Sequence, residues 1–182
     1  MDIQTVSVFC GSSDRCDIVY LDAAYQLGEY LAEAGINILY GGGGVGLMGK
    51  LARGALSKSG KITGIIPRFM YDNGWGHSGL TELRIVESMH ERKLQMLTGS
   101  DAFIALPGGC GTLEELLEAI TWKQLNLHSC AIVIININHY FDCMQELLKK
   151  AEDARFMDEK SHTMWIFADT APEAVQFIKY QL

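Results

Sequence analysis

The stretch DAFIALPGGCGTLEELLEAI, residues 101–120, contains an apolar run, a turn rich in glycine and an amphipathic pattern. The run 101–107 predicts a buried strand, and the pattern from Thr112 to about Asn126 predicts a helix. Glycine lacks a Cβ atom, so another molecule can approach the backbone of the turn. The first N–H groups of a helix have no partner within the helix and lie at the positive end of its dipole. A bare turn before a helix is therefore typical of an anion site, usually for phosphate.

The alternation of strand and helix continues on both sides of this stretch. Several of the predicted strands are almost continuously apolar, which is typical of a parallel sheet covered on both faces. We therefore expect an α/β, Rossmann-like doubly wound sheet of about seven strands in one domain, 1–182. Further strands are predicted at 5–9, 36–40, 61–67, 82–87, 130–137 and 163–169. Helices are predicted at 20–35, from the end of 41–49 to about Ser59, at 89–99, at 140–155 and from Thr170 to the end of the chain.

Two more segments rich in glycine follow predicted strands, CGSS (10–13) and GGGGVGLMG (41–49). Loops at the carboxyl ends of parallel strands line one crevice, so three such loops predict a nucleotide-sized ligand that carries phosphate. Gly44 to Gly49 also match G-x-G-x-x-G, the dinucleotide fingerprint. That fingerprint belongs to the first strand–helix turn and needs an acidic residue near the end of the next strand. Here it follows the second strand, and the third ends in GIIPR, which disfavours NAD.

Composition narrows the classes of partner. The net charge of −7 disfavours a broad nucleic-acid surface. The N-terminal MDIQTVSVFC carries no basic segment, so we expect no signal peptide, and no apolar run approaches the ~20 residues of a membrane span. Five cysteines without a C-x-x-C pair favour free thiols in the cytoplasm over a disulfide framework or a metal site. We expect no cofactor.

Two adjacent carboxylates, Glu114 and Glu115, follow the phosphate-type turn although they would repel an anion. Neighbouring helical residues diverge by about 100°, so the two side chains cannot share one target. The spacing Thr112-x-x-Glu115 also matches a capping box, in which Glu115 would bond back to the N–H of Thr112. A Glu115 used in this way would still lie at the mouth of the crevice, so the structural and chemical roles are not exclusive.

The segment MHERK (89–93) places His90, Arg92 and Lys93 at the start of a helix, where cations oppose the dipole. A ligand phosphate, or a carboxylate such as Glu115, would compensate them; the alternative is a solvated charged face. Cys110 in the glycine turn is a candidate thiolate at a helix N-terminus. No histidine lies close to it in sequence to act as its base, which disfavours a nucleophile.

Together, PGGCGTLEE, SMHERK, CGSS and YGGGGVGLMG resemble the LOG ("Lonely guy") family of cytokinin riboside 5′-monophosphate phosphoribohydrolases, often labelled lysine decarboxylases. The shared signature P-G-G-x-G-T-x-x-E is complete at Pro107 to Glu115, and M-H-x-R-K at Met89 to Lys93. The resemblance extends from residue 6 to about 125. The sequence departs from plant members at 69–79, FMYDNGWGHSG, where Phe69 follows the Pro-Arg pair.

The resemblance implies hydrolysis of the N-glycosidic bond of AMP-type nucleotides, and dimers with pockets near the subunit interface. It implies that Arg92 and Glu115 are catalytic. The implied residues for substrate and phosphate binding are Ser12, Gly43, Met89, Lys93, Gly108, Gly109, Gly111, Thr112 and Thr121.

Breaking a ribosyl C–N bond builds positive charge on the sugar, as in glycoside hydrolysis. A carboxylate beside C1′ stabilises that charge and activates water, which gives Glu115 a role at an anion site. Arg92 either holds Glu115 ionised or contacts the nucleotide directly. The alternative function is a non-catalytic nucleotide- or cofactor-binding module of similar fold, which would have no need for both residues. A lysine decarboxylase would need a Schiff-base lysine and an acidic partner for the pyridine nitrogen, and no lysine here lies in such a context.

Overall fold

Seven parallel strands form one sheet in the order β4-β3-β2-β1-β5-β6-β7 in the computed structural model, which describes residues 3–180. The strand order reverses at β1, which pairs with both β2 and β5. This is the doubly wound topology that the sequence predicts. The strands are β1 Thr5–Phe9, β2 Asn37–Tyr40, β3 Ile62–Pro67, β4 Glu82–Val86, β5 Ala102–Ala105, β6 Ala131–Ile135 and β7 Ile166–Ala168.

Seven α-helices connect or follow these strands within the described residues. They are α1 Ile18–Glu33, α2 Gly46–Ser57, α3 Arg68–Asp72, α4 Met89–Thr98, α5 Cys110–Gln124, α6 Asp142–Asp153 and α7 Ala171–Tyr180. Short 3-10 turns at Ile137–His139 and Ser161–Met164 precede α6 and β7. Between residues 3 and 180, no helix has both the length and the apolar character needed to cross a membrane.

The helices cover both faces of the sheet because the strand residues alternate between two cores. Val8 and Ile104 face the core that α1, α2 and α7 cover. Phe9 and Phe103, one position later or earlier on the same strands, face the core of α4, α5 and α6 and stack with ring centroids 5.8 Å apart. This two-residue alternation, with apolar side chains on both sides, explains why the strands are apolar throughout.

The order and type of the predicted elements are confirmed, and the differences lie at their ends and in one additional short helix. Helix α5 begins two residues earlier than predicted, and β7 is shorter than the predicted 163–169 because the 3-10 turn takes its first residues. The predicted loop after β3 contains the short helix α3. The last two residues of the predicted C-terminal helix lie outside the described residues, as do the first two of the chain.

Candidate active site

A cleft of about 540 Å³ opens at the carboxyl edge of the sheet, where β1 and β5 lie side by side. Small-molecule sites commonly enclose about 300–1,000 Å³. The loops that follow β1, β2 and β5 all contribute to the wall, as expected for a ligand at the reversal of strand order. These loops contribute Cys10, Gly11, Ser12, Gly41, Gly43, Gly44, Val45 and Gly109, and the first turn of α5 adds Gly111 and Thr112.

A larger hollow of about 780 Å³ lies between α6 and β7. It is lined by charged surface side chains, among them Lys149 and Arg155, around Trp165 and Phe167. All three glycine loops and a buried ion pair converge on the smaller cleft instead. The smaller cleft is therefore the candidate active site.

The buried ion pair consists of Arg92 from α4 and Glu115 from α5. Arg92 Nη2 donates to Glu115 Oε1 at 2.9 Å, and the two side chains are only 6% and 5% exposed. Both residues line the cleft. Arg92 Nε is buried without an acceptor among the described residues, so it can donate to a ligand that enters the cleft.

Burial controls the ionisation of the groups around this pair. Loss of solvent raises the pKa of Glu115 above the usual value of a glutamate, and the charge of Arg92 opposes that rise. Burial also raises the pKa of the Cys10 thiol, and the Glu115 carboxylate raises it further. Cys10 therefore stays a neutral thiol at the end of β1. The carboxylate of Glu115, held beside Arg92, is the group in this part of the cleft that can act as a base or stabilise a cation.

The N-terminus of α5 forms the end of the cleft suited to phosphate. Gly109 is the N-cap residue and has no side chain that could accept a hydrogen bond from the helix. The first N–H groups of α5 therefore remain available to an anion. Thr112 is the third residue of the helix and is buried against Gly108, where an added Cβ would lie 2.1 Å from Thr112 Oγ1. Glycine at 108 thus permits the close approach of the turn to the helix.

The capping-box interpretation of Thr112 and Glu115 is wrong. The N-cap is Gly109, three residues before the Thr112 that this interpretation requires, and the chain enters the helix through Gly109 in an extended conformation. Thr112 consequently lies inside the first turn instead of before it. The Glu115 carboxylate bonds to Arg92 and is not the partner of the Thr112 N–H.

The cleft brings together most of the predicted binding residues but not all of them. Lys93 does not line the cleft, and its ammonium group pairs with Glu114 and, at 3.0 Å, with Glu118 on α5. Thr121 is exposed on α5, and its hydroxyl donates to the Leu117 carbonyl at 2.7 Å. Gly108 lies beneath the cleft wall. The predicted binding residues that line the cleft are Ser12, Gly43, Met89, Gly109, Gly111 and Thr112.

The adjacent carboxylates have separate partners, as the helical geometry predicts. Glu115 turns into the cleft toward Arg92, whereas the exposed Glu114 binds Lys93. Cys110 is exposed at the first position of α5 and does not line the cleft.

The glycines that match G-x-G-x-x-G allow loops to pack closely. An added Cβ on Gly46, whose φ is +62°, would lie 2.5 Å from the Ser12 carbonyl carbon. An added Cβ on Gly49 would lie 2.2 Å from the carbonyl oxygen of Gly44. These contacts account for the second and third glycines of the match without a dinucleotide, because each of the two permits one close backbone approach.

The sequence analysis missed an apolar part of the cleft wall. It consists of Met48, Ile66, Met70 and Trp75. The backbone holds Trp75 in place, since its carbonyl accepts from Gly44 N at 3.0 Å and its N–H donates to Met70 O at 3.1 Å. The position of this segment could have identified it, because the loop after β3 also leaves the carboxyl edge of the sheet. It was overlooked because its aromatic and methionine residues do not resemble a phosphate loop.

Comparison with known proteins identifies relatives by sequence and further proteins that share the fold. A family profile described as possible lysine decarboxylase matches residues 48–178. A probable cytokinin riboside 5′-monophosphate phosphoribohydrolase of Oryza sativa subsp. japonica is 44% identical over 92% of this chain and 68% of its own. A cytokinin riboside 5′-monophosphate phosphoribohydrolase of Arabidopsis thaliana is 38% identical over 96% of this chain and 82% of its own.

Among solved structures, the molybdenum cofactor carrier protein of Chlamydomonas reinhardtii superposes with a TM-score of 0.75. The alignment covers 97% of this chain and 96% of the other at 18% identity, which shows a shared fold alone. The sequence matches identify the family of the chain, which the shared fold does not. With its signature residues assembled around one cleft, the chain belongs to the LOG family of phosphoribohydrolases, the family whose profile carries the description possible lysine decarboxylase.

Proposed function

We propose that this protein hydrolyses the N-glycosidic bond of AMP-type or N6-substituted riboside 5′-monophosphates, to free base and ribose 5-phosphate. The observation that carries this proposal is the buried Arg92–Glu115 pair, which lines the same cleft as a helix N-terminus suited to phosphate and an apolar wall suited to a base. Relatives at 38–44% identity bear the name of this activity.

The cleft orders the parts of such a substrate from one end to the other. The 5′-phosphate binds the N–H groups at the start of α5, with Gly109, Gly111 and Thr112 around it. The ribose lies over Glu115. The base extends along Met70 and Trp75, where an apolar N6 substituent is shielded from water.

Glu115 carries the chemistry. As the C–N bond breaks, positive charge develops on the ribose, and a carboxylate fixed beside C1′ stabilises it. The same carboxylate accepts a proton from the attacking water, whose oxygen bonds to C1′ while the base leaves with the electron pair of the broken bond. Atoms balance because water supplies the hydroxyl of ribose 5-phosphate and the proton of the free base.

Arg92 has two functions in this scheme. Its Nη2 orients the Glu115 carboxylate, and its charge opposes the rise in pKa caused by burial and so favours the ionised form. Its Nε, without an acceptor among the described residues, donates to an oxygen of the bound nucleotide.

Three further properties belong to the proposal. We expect a homodimer whose interface includes the exposed Leu117, Thr121 and Leu125, which recur every four residues on one face of α5. All five cysteines are free thiols, which supports a reducing compartment such as the cytoplasm. The whole chain, 1–182, acts as one domain around this sheet.

Release of free base from AMP, N6-isopentenyl-AMP and adenosine, followed by chromatography, tests the activity. We expect release from the two nucleotides and little from adenosine, because the α5 N-terminus binds the 5′-phosphate. Equal turnover of adenosine would contradict the assignment of the phosphate site. Binding of nucleotides without any base release would instead support the alternative function, a non-catalytic binding module.

A further inference from the structure

A glycine outside both signature motifs touches the catalytic pair. Gly41 directly follows β2 and lines the cleft. A Cβ added to Gly41 would lie 2.2 Å from Arg92 Nη2 and 3.0 Å from Arg92 Cζ. The guanidinium group thus lies against the backbone of Gly41. Its contacting atom is Nη2, the same nitrogen that donates to Glu115.

From this contact we infer that Gly41 is a positioning residue, whose missing side chain sets the place of the Arg92 guanidinium group beside Glu115. The inference rests on the proposed function, in which that pair is catalytic. Ordinary contact to a Cβ needs about 3.4 Å, so an alanine at 41 requires Arg92 Nη2 to retreat by roughly 1 Å. We expect a displacement of that size to lengthen the 2.9 Å hydrogen bond to Glu115 beyond bonding distance.

The backbone itself can accept alanine at this position. The φ angle of Gly41 lies outside the left-handed range, which the neighbouring Gly42 enters at +76°. The atoms that an added methyl group meets are the ends of the flexible side chains of Arg92 and Met48. We therefore expect Gly41→Ala to fold and to move Arg92 selectively.

The loss of the Arg92 contact has a kinetic consequence and an electrostatic one. A misplacement of about 1 Å at a catalytic group costs on the order of 100-fold in rate, so kcat/KM should fall by about that factor. Arg92 lowers the pKa of Glu115 against the effect of burial. When Arg92 retreats, the pKa of Glu115 rises further, and the acidic limb of the rate profile moves to higher pH.

The experiment compares wild type, Gly41→Ala and Gly79→Ala for base release from AMP as a function of pH. Gly79 is the matched control, because its φ also suits alanine and its nearest neighbour, in His77, would lie at an ordinary 3.4 Å. The expected result is a loss of about 100-fold with a shifted acidic limb for Gly41→Ala alone. An active wild type with an unchanged rate and pH profile in Gly41→Ala would overturn the inference, whereas a wild type that releases no base would overturn the proposed function.

Thermal unfolding gives a second measurement that needs no turnover. Gly41→Ala is made in the wild-type chain and in Arg92→Ala, where the space beside residue 41 is free. We expect Gly41→Ala to lower the melting temperature in the first background and to leave it unchanged in the second. An equal loss in both backgrounds, or failure to fold in the second, would show that Gly41 serves the backbone and not Arg92.

Discussion

Replacement of Glu115 by glutamine separates catalysis from stability at the centre of the cleft. Glutamine has nearly the same shape as glutamate and retains an oxygen that can accept from Arg92 Nη2. In the wild type, this nitrogen lies 2.9 Å from Glu115 Oε1. It removes the negative charge. A preorganised group that stabilises charge in a transition state contributes about 2.7–4 kcal/mol, so kcat should fall by about 10²–10³.

The expected change in stability is much smaller, and the environment of Glu115 explains why. Burial raises its pKa despite the attraction of Arg92, which means that this site favours the uncharged side chain relative to the unfolded chain. A neutral isostere therefore avoids most of the 3–5 kcal/mol that removal of one partner from a buried pair typically costs. We expect a change in the free energy of unfolding of about 1 kcal/mol or less, typical of a conservative substitution.

Three measurements on Glu115→Gln test this expectation: turnover of AMP, affinity for AMP by calorimetry, and the midpoint of thermal unfolding. Affinity should be retained, because the α5 N-terminus is unchanged. Glu114→Gln is the matched control, since its carboxylate is 55% exposed and binds Lys93 outside the cleft. Lys93 is 11% exposed but keeps Glu118 as a partner at 3.0 Å when Glu114 is neutralised, so this variant should leave turnover near wild type. A folded Glu115→Gln protein that binds AMP and turns it over at the wild-type rate would refute the catalytic role.

Three other predictions concern pH, base preference and assembly. Because burial raises the pKa of Glu115 and the ionised form is active, kcat/KM should fall as the pH drops through a value above the usual glutamate pKa; activity that rises toward acid would contradict this. Trp75→Ala should lower the ratio of kcat/KM for N6-isopentenyl-AMP to kcat/KM for AMP by about 10-fold, because apolar contacts discriminate between substrates by about 1–3 kcal/mol. An unchanged ratio would exclude Trp75 from the base site. Light scattering should give twice the 20.1 kDa mass of the chain for the wild type and a smaller mass for Leu125→Asp, which places a charge on the exposed face of α5; a wild-type monomer would refute the dimer.

The architecture could be predicted because its signal is repeated along the whole chain. Each strand carries apolar residues on both faces, as Val8 and Phe9 do, and that pattern identifies a covered parallel sheet without any long-range information. The edge of the sheet at which the cleft lies followed from the positions of the glycine loops. The start of α5 could not be predicted, because Thr112 is a better N-cap residue by composition than Gly109, and tertiary contacts with Gly108 decide between them.

Within the cleft, the sequence identified residue types but not partners. It offered Glu115 as one candidate for compensating Arg92, and the fold brings these two residues to 2.9 Å although they are 23 positions apart. It did not distinguish Arg92 from its neighbour Lys93, which does not line the cleft and pairs with Glu114 and Glu118. Trp75 was missed because its role depends on hydrogen bonds between two loops, which leave no periodic signal in either one.

The products formed from AMP in buffer without inorganic phosphate or pyrophosphate test the central claim most directly. Hydrolysis at the Arg92–Glu115 pair predicts adenine and ribose 5-phosphate in equal amounts, with water as the only co-substrate. Adenosine with inorganic phosphate as the products, or adenine release that requires added phosphate or pyrophosphate, would contradict the account.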